Sequence, residues 1–504
     1  MSNIVVGKYT LESLTSGMYS DPFVVYREYI QNSTDAIDEA CRIGILKPGE
    51  ERIDVEISPA EKRISICDNG IGVPHDLAEK TLISIGNSKK TSTNSRGFRG
   101  IGRLAALSYC KKLTFETSAP EEKYGTRITI DSDILATLLS SASDNDVTVT
   151  EVLSQVYSVV KYTERESRHY FRVIMDAVDE TSGLTKIKDV VEYISQNAPV
   201  PYNHSEFPWG REITQRLKKE GYAVHAYNIN LITGTEYHPL YKPYKSEFLV
   251  DKGRQITDRI EDIEIVKFTG SDQSLLAIGW LAKTHYLGSI YDKTVKGIRL
   301  RKGNILIGDQ QTLNSLFKDP RFNGWSVGEL FAVSPHLIPN ARRDNFEKNE
   351  AFFTFVEKMN PITTHISRNI RNASIARNRE LSRALEETAQ AAGEASEALT
   401  SGIRGSRKHL LHQSLTEAQK SLIKVKTEGT TDAYFQEIAF EELDMLIGKV
   451  KGATAYKAIN TIDTLSNTEK QILERVCNIL IAENGEAATS IIDTIIRGFA
   501  KTQE

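Results

Sequence analysis

Cysteine is scarce and scattered. Cys41, Cys67, Cys110 and Cys477 are the only four in 504 residues, and no Cys-x-x-Cys pair occurs. Neither a zinc site nor a disulfide framework is suggested, and a reducing, cytoplasmic setting fits best. Uninterrupted apolar runs of about 18 residues are missing. The stretch from Met1 to Lys8 also lacks a basic segment leading into a long apolar one, so neither export nor a membrane span is expected. No large excess of one charge exists. A formal net charge of -4 argues against a globally basic nucleic-acid binder while leaving local patches open.

What is present is organised around Arg27-Glu28-Tyr29-Ile30-Gln31-Asn32-Ser33-Thr34-Asp35-Ala36. Glu28, Asn32 and Asp35 share one stripe of a helix, while Tyr29, Ile30, Ala36 and Ile37 serve the packed side. Taken alone, such a stripe is more simply an ordinary solvated face. Two later motifs weigh against that. Alternating runs Arg52–Ser58 and Arg63–Cys67, separated by Pro59-Ala60-Glu61-Lys62, predict a β-hairpin that delivers Asp68 at its end. Asp68-Asn69-Gly70-Ile71-Gly72 follows; alone it is a common turn signal, yet a carboxylate at a strand end with two glycines lets a flat ligand approach the backbone. Gly97-Phe98-Arg99-Gly100-Ile101-Gly102 then opens an apolar segment, where free N–H groups favour an oxyanion such as phosphate. No Gly-Lys-Ser/Thr follows and the glycine spacing is not the dinucleotide one, so Walker A and Rossmann readings are excluded. Between them, polar Gly86–Arg96 reads as a lid or a solvated connection.

With strands at Leu113–Thr117 and Gly125–Ile130 added, the first 130 or so residues resemble the ATP-binding domain of the GHKL superfamily. That superfamily comprises gyrase, the ninety-kilodalton heat-shock chaperone, sensor histidine kinases and MutL. The approach to the key helix is most similar to the chaperone, and Gly97-Phe98-Arg99-Gly100 is closer to MutL. The resemblance implies ATP and Mg2+ as ligands. It implies Glu28 as the general base for the attacking water, Asn32 as the magnesium ligand and Asp68 as the adenine contact. Gly70 and Gly72 would shape the base turn, Gly97, Arg99, Gly100, Ile101 and Gly102 would line the phosphates, Lys89 would touch them from the lid, and Thr126 would reach the base. A kinase is not expected, because the short lead before the helix contains no phospho-acceptor histidine.

The expected fold class is α+β: a Bergerat-type α/β sandwich over 1–135, a helical insertion or connector over 136–215, a transducer-like α/β middle domain over 216–350, and a helical C-terminal region over 351–504. Within the middle domain Ile338-Pro339-Asn340-Ala341-Arg342-Arg343-Asp344 is similar to the chaperone loop whose arginine reaches the γ-phosphate, so Arg343 is the second catalytic candidate, against a plain surface ion pair with Asp344 or Glu347. Arg368, Arg371, Arg377, Arg379 and Arg383 cluster in the helical region, where interspersed Glu380, Glu386 and Glu387 suit a solvated arm. The expected whole is a chaperone-like, clamp-closing ATPase, working as a homodimer on a protein client, with a DNA-acting clamp or an ATP-sensing scaffold as alternatives and no membrane partner.

Overall fold

The computed structural model describes residues 21–84, 102–140, 149–253, 255–270, 272–401, 403, 405–425, 430–453, 465–484 and 488–500. They divide into two compact units, one holding residues 1–285 and 289–367 and the other 286–288 and 368–504. The lid and most of the glycine run (Lys89, Gly97, Arg99, Gly100 and Ile101) lie outside the described residues.

The first unit is built on helix α1 (Val24–Arg42) and an eight-stranded sheet in the order β5-β4-β3-β6-β2-β1-β7-β8. Asp21 starts the helix, its carboxylate accepting the Phe23 N–H at 3.0 Å. Val25, Tyr26, Tyr29, Ile30 and Ile37 are buried at helical spacing and press the helix onto the sheet. β1 (Arg52–Ser58) and β2 (Arg63–Asp68) form the expected hairpin, with Ile53 opposite Asp68 and Lys62 in the left-handed region at the turn. β3 (Cys110–Ser118) and β4 (Tyr124–Asp131) form a second antiparallel pair.

The expectation of a helical connector over 136–215 is not met. Short helices occur there, but β5 (Tyr157–Thr163) and β6 (Tyr170–Val178) are strands of the first sheet, and β6 lies near its centre between β3 and β2. Phe171, Val173 and Met175 face the core while Arg172 and Asp176 alternate with them, so charge on the solvated face masked a period of two. The boundary at 216 moves for a similar reason. Ala223–Tyr227 is not a strand; β7 (Asn228–Thr233) runs parallel to β1, and β8 (Glu236–Pro239) completes the first sheet.

After a two-stranded ribbon, β9 (Glu247–Asp251) with β10 (Ile256–Arg259), comes a five-stranded sheet. Its order is β11-β12-β15-β13-β14, from β11 (Asp262–Thr269), β12 (Leu275–Lys283), β13 (Gly297–Lys302), β14 (Ile305–Ile307) and β15 (Val327–Ala332). An ion cluster lies at its heart. Both Glu329 oxygens accept from Lys242 Nζ at 2.8 and 2.7 Å, and Arg301 Nε and the Tyr202 hydroxyl donate to the same carboxylate. Arg301 Nη2 also donates to the Gln196 carbonyl at 2.9 Å, and Asn304 Nδ2 to the His225 carbonyl at 2.8 Å. The cluster therefore fastens the second sheet to the segments that lead out of and back into the first.

In the second unit, the described residues after the long helix (Glu350–Ser401) form further helices, Gly405–Lys424, Thr430–Gly452, Asn467–Asn484 and Ala488–Ala500. Alanines of the long helix and Leu415, Leu422, Leu443 and Leu446 share one core. No helix among the described residues is long and apolar enough to cross a membrane.

Burial alone would raise the Glu329 pKa, but Arg301 and Lys242 overcompensate and hold it at about 2. Its contribution to stability is complete above the ordinary value of 4.5 and is lost as pH falls toward 2. Glu329→Gln would leave two buried cations sharing a neutral amide, and we expect it to cost about 3–5 kcal/mol in urea unfolding at pH 7; a midpoint equal to that of the unaltered chain would contradict the account.

Candidate functional site

Glu28 and Asn32 stand one turn apart on α1, Glu28 only 8% exposed and Asn32 half-buried. The Glu28 carboxylate lies against Gly102. A Cβ there would fall 2.2 Å from Glu28 Oε2, so only glycine lets the chain pass so close. The next residue is tied down as well, since the Tyr29 hydroxyl donates to the Arg103 carbonyl at 2.8 Å. Gly102–Ser108 forms a 3-10 helix rather than an ordinary helical start, with Leu104, Ala105, Ala106 and Leu107 buried.

Two guanidinium groups face the same carboxylate. Arg27 Nη2 lies 3.4 Å and Arg343 Nε 3.7 Å from Glu28 Oε1. Arg27 also donates to the Arg342 carbonyl at 3.3 Å, so α1 meets the 338–347 loop twice within one turn. That loop is firmly shaped. Arg343 adopts a left-handed backbone with φ of 58°, its N–H donates to the Asn340 carbonyl at 3.1 Å, and its carbonyl accepts from Gly308 at 2.8 Å. A non-glycine residue in that region persists only where the surroundings fix it.

At the other end of the stripe, Asp68 is 2% exposed and its Oδ1 accepts the Gly70 N–H at 2.9 Å. Gly70 packs on α1, where a Cβ would come within 2.7 Å of Ala36, and Ile71 donates to the Ala36 carbonyl at 3.2 Å. Gly72 has φ of 66°, and a Cβ on it would fall 2.0 Å from the Ser118 carbonyl. From the far side His169 Nδ1 lies 2.8 Å from the Gly70 carbonyl, which requires that nitrogen to carry the proton. Ala36 lies eight residues beyond Glu28, so the acid and the Asp68 turn are separated by about 12 Å along the helix.

Thr126 is not beside Asp68. Register runs Asp68, Phe171, Thr117, Thr126 across β2, β6, β3 and β4. Three strand spacings put Thr126 about 14 Å away, and its hydroxyl is 2.7 Å from His75 Nδ1. Thr117 is the threonine that serves the turn, accepting the Val73 N–H at 2.7 Å and donating to the Tyr170 carbonyl at 3.2 Å. The family resemblance pointed to Thr126; the strand order reveals Thr117.

No cluster of three or more His, Cys, Asp or Glu able to hold a metal ion exists among the described residues. The donors present, a carboxylate and an amide one turn apart, suit a magnesium ion that takes its remaining oxygens from a polyphosphate and water.

Comparison with known proteins agrees. The family described as histidine kinase-, DNA gyrase B-, and HSP90-like ATPase matches residues 19–161. The chaperone protein HtpG of Fusobacterium nucleatum is 26% identical over 138 residues, covering 24% of this chain and 23% of that protein. HtpG of Escherichia coli is 21% identical over 271 residues, covering 48% of this chain and 39% of its own. The alignments thus span less than half the length of these relatives. The fold and the match together point to a domain of the GHKL type over residues 19–161. Within that superfamily the chain stands near the HSP90-like branch.

Gly72→Ala should lower stability by more than about 2 kcal/mol, because both the backbone conformation and the Ser118 carbonyl oppose a side chain. Urea unfolding of the variant measures this.

Proposed function

We propose that the protein is a magnesium-dependent ATPase in which nucleotide binding is converted into movement of the second sheet relative to the first. The observation that carries this reading is the Arg343–Glu28 contact of 3.7 Å, which brings a side chain of the 338–347 loop onto the acid of α1. In this reading Asp68 accepts a hydrogen bond from the adenine amine. Its carboxylate is already aimed by the Gly70 N–H, and Gly70 and Gly72 leave room for a flat ring. Asn32 holds the magnesium ion through its side-chain oxygen, and the ion when bound neutralises charge on the triphosphate. Gly102, with Gly97, Arg99, Gly100 and Ile101 before it, offers N–H groups to the phosphates, and Lys89 adds a charge from the lid.

Glu28 orients a water and takes its proton as the water oxygen bonds to the γ-phosphorus. The bond from that phosphorus to the β–γ bridging oxygen breaks, and ADP leaves with the electron pair. Phosphoryl transfer needs positioning more than strong basicity, so a glutamate suffices. Arg343 contributes a planar donor where charge collects on the equatorial oxygens. That guanidinium lies against Glu28; a triphosphate would offer it a stronger anionic partner and draw the loop with it. Domain position thereby becomes dependent on the γ-phosphate. Similarity to HtpG favours a chaperone-like role with a protein client and a homodimer.

Two experiments test these roles. Glu28→Ala should retain ATP binding while turnover falls by about 10²-fold or more, whereas Asp68→Asn should weaken nucleotide affinity by roughly 10- to 100-fold; calorimetry and a phosphate-release assay separate the two, and the opposite pattern would reassign both. Arg343→Ala should lower kcat by about 10-fold or more with a much smaller change in KM. Unchanged kcat would remove the loop from the chemistry.

A further inference from the structure

The outward face of the long helix carries chemistry that the nucleotide site does not use. At 100° per residue, Ile370, Leu381, Ala384 and Thr388 fall on one side, and all are buried. Arg368, Ile375, Arg379, Ser382 and Arg383 fall within about 60° of the opposite direction and Arg371 at its margin, about 75° away; all are exposed. The sequence alone suggested that interspersed acids dilute this charge. Placed on the helix, Glu380 and Glu387 lie off the arginine face, and Glu386, one turn beyond Ser382, closes its C-terminal end. Arg383 Nε is 3.0 Å from Glu387 Oε1 in an exposed pair, which leaves the rest of the guanidinium fork available to solvent.

Ile375, Arg379, Ser382, Arg383 and Glu386 sit together on this open face. Two guanidiniums and a hydroxyl there form a donor set that matches phosphate oxygens. The stripe from Arg368 to Arg383 is about 22 Å long, which a straight helix holds in line. Regularly spaced phosphates on a stiff polymer are the complementary partner. Single strands are generally held by bases stacking on aromatic rings, and this face has none. Its lone apolar side chain, Ile375, is too little to seat a membrane or an amphipathic peptide.

We propose that the Arg368–Arg383 face binds the phosphodiester backbone of duplex DNA. The contact is sequence-independent and owes its strength to counterion release, and it stands independently of the ATPase reading. Fluorescence anisotropy of the full chain, without nucleotide, against a labelled duplex of about 20 base pairs should show binding whose logarithm falls with log salt at a slope near −3 to −4. The double variant Arg379→Glu, Arg383→Glu should bind about 10-fold or more weakly, with the slope reduced by about 2. Arg379→Lys, Arg383→Lys should stay within a few-fold of the unaltered chain, because counterion release depends on the number of cations and not on the shape of the donor. Circular dichroism and basal ATP turnover should be the same in all three. Absence of binding, or a charge-reversed variant that binds like the unaltered chain, would overturn the proposal. A single strand of the same length binding as tightly would overturn the duplex assignment, and a labelled polyglutamate binding as tightly would give the face to an acidic protein instead. Because no nucleotide is present, failure here leaves the ATPase reading untouched, and failure of that reading leaves this one standing.

Discussion

One carboxylate, that of Glu28, is held by groups from three separate parts of the chain, and the arrangement of the first unit follows from that. Arg27 approaches from its own helix, Arg343 from the loop after the second sheet, and Gly102 from the end of the glycine run. Each approach needs a special local feature: an arginine in a left-handed backbone, a residue without a side chain, and a helix whose opposite face is buried. An acid nearly removed from water and flanked by two cations is costly to hold in place. On the proposed function it is a poised group, whose guanidinium partner a triphosphate would compete for.

The second sheet has to be rigid for such an exchange to move anything. Glu329, Lys242 and Arg301 supply rigidity through hydrogen bonds whose directions are fixed; Arg301 reaches the Gln196 backbone, and Asn304, which accepts from Lys242, reaches that of His225. Apolar packing around Trp280 would hold the strands together, yet it would not specify their angle to the segments that cross between sheets. A buried ionic cluster does, because a shift of an ångström leaves a charge unpaired.

Much of the site was legible in the letters. The stripe of α1, the hairpin ending at Asp68 and the two glycines after it are local patterns with periods of 3.6 and 2, and they occupy the places their spacing implied. What the sequence hid is order across the sheet. β6 joins the middle of the first sheet from far along the chain, and its charged outer face made it read as helix. The expectation at Thr126 meets the same obstacle, since a resemblance of local motifs says nothing about which strands lie between it and Asp68. The end of the first sheet was misjudged because β7 pairs in parallel with β1, and parallel partners have no turn to announce them.

That parallel pairing bears on how the protein is made. Asp54 of β1 and Asn230 of β7 are hydrogen-bonded side chains 176 positions apart. At synthesis rates of 5–20 residues per second, the edge of β1 waits on the order of 10–30 s for its neighbour to leave the ribosome. Throughout that interval an apolar strand, with Ile53, Val55 and Ile57 on one side, has an unsatisfied backbone edge. For those seconds the nascent β1 edge is open to pairing with the wrong strand.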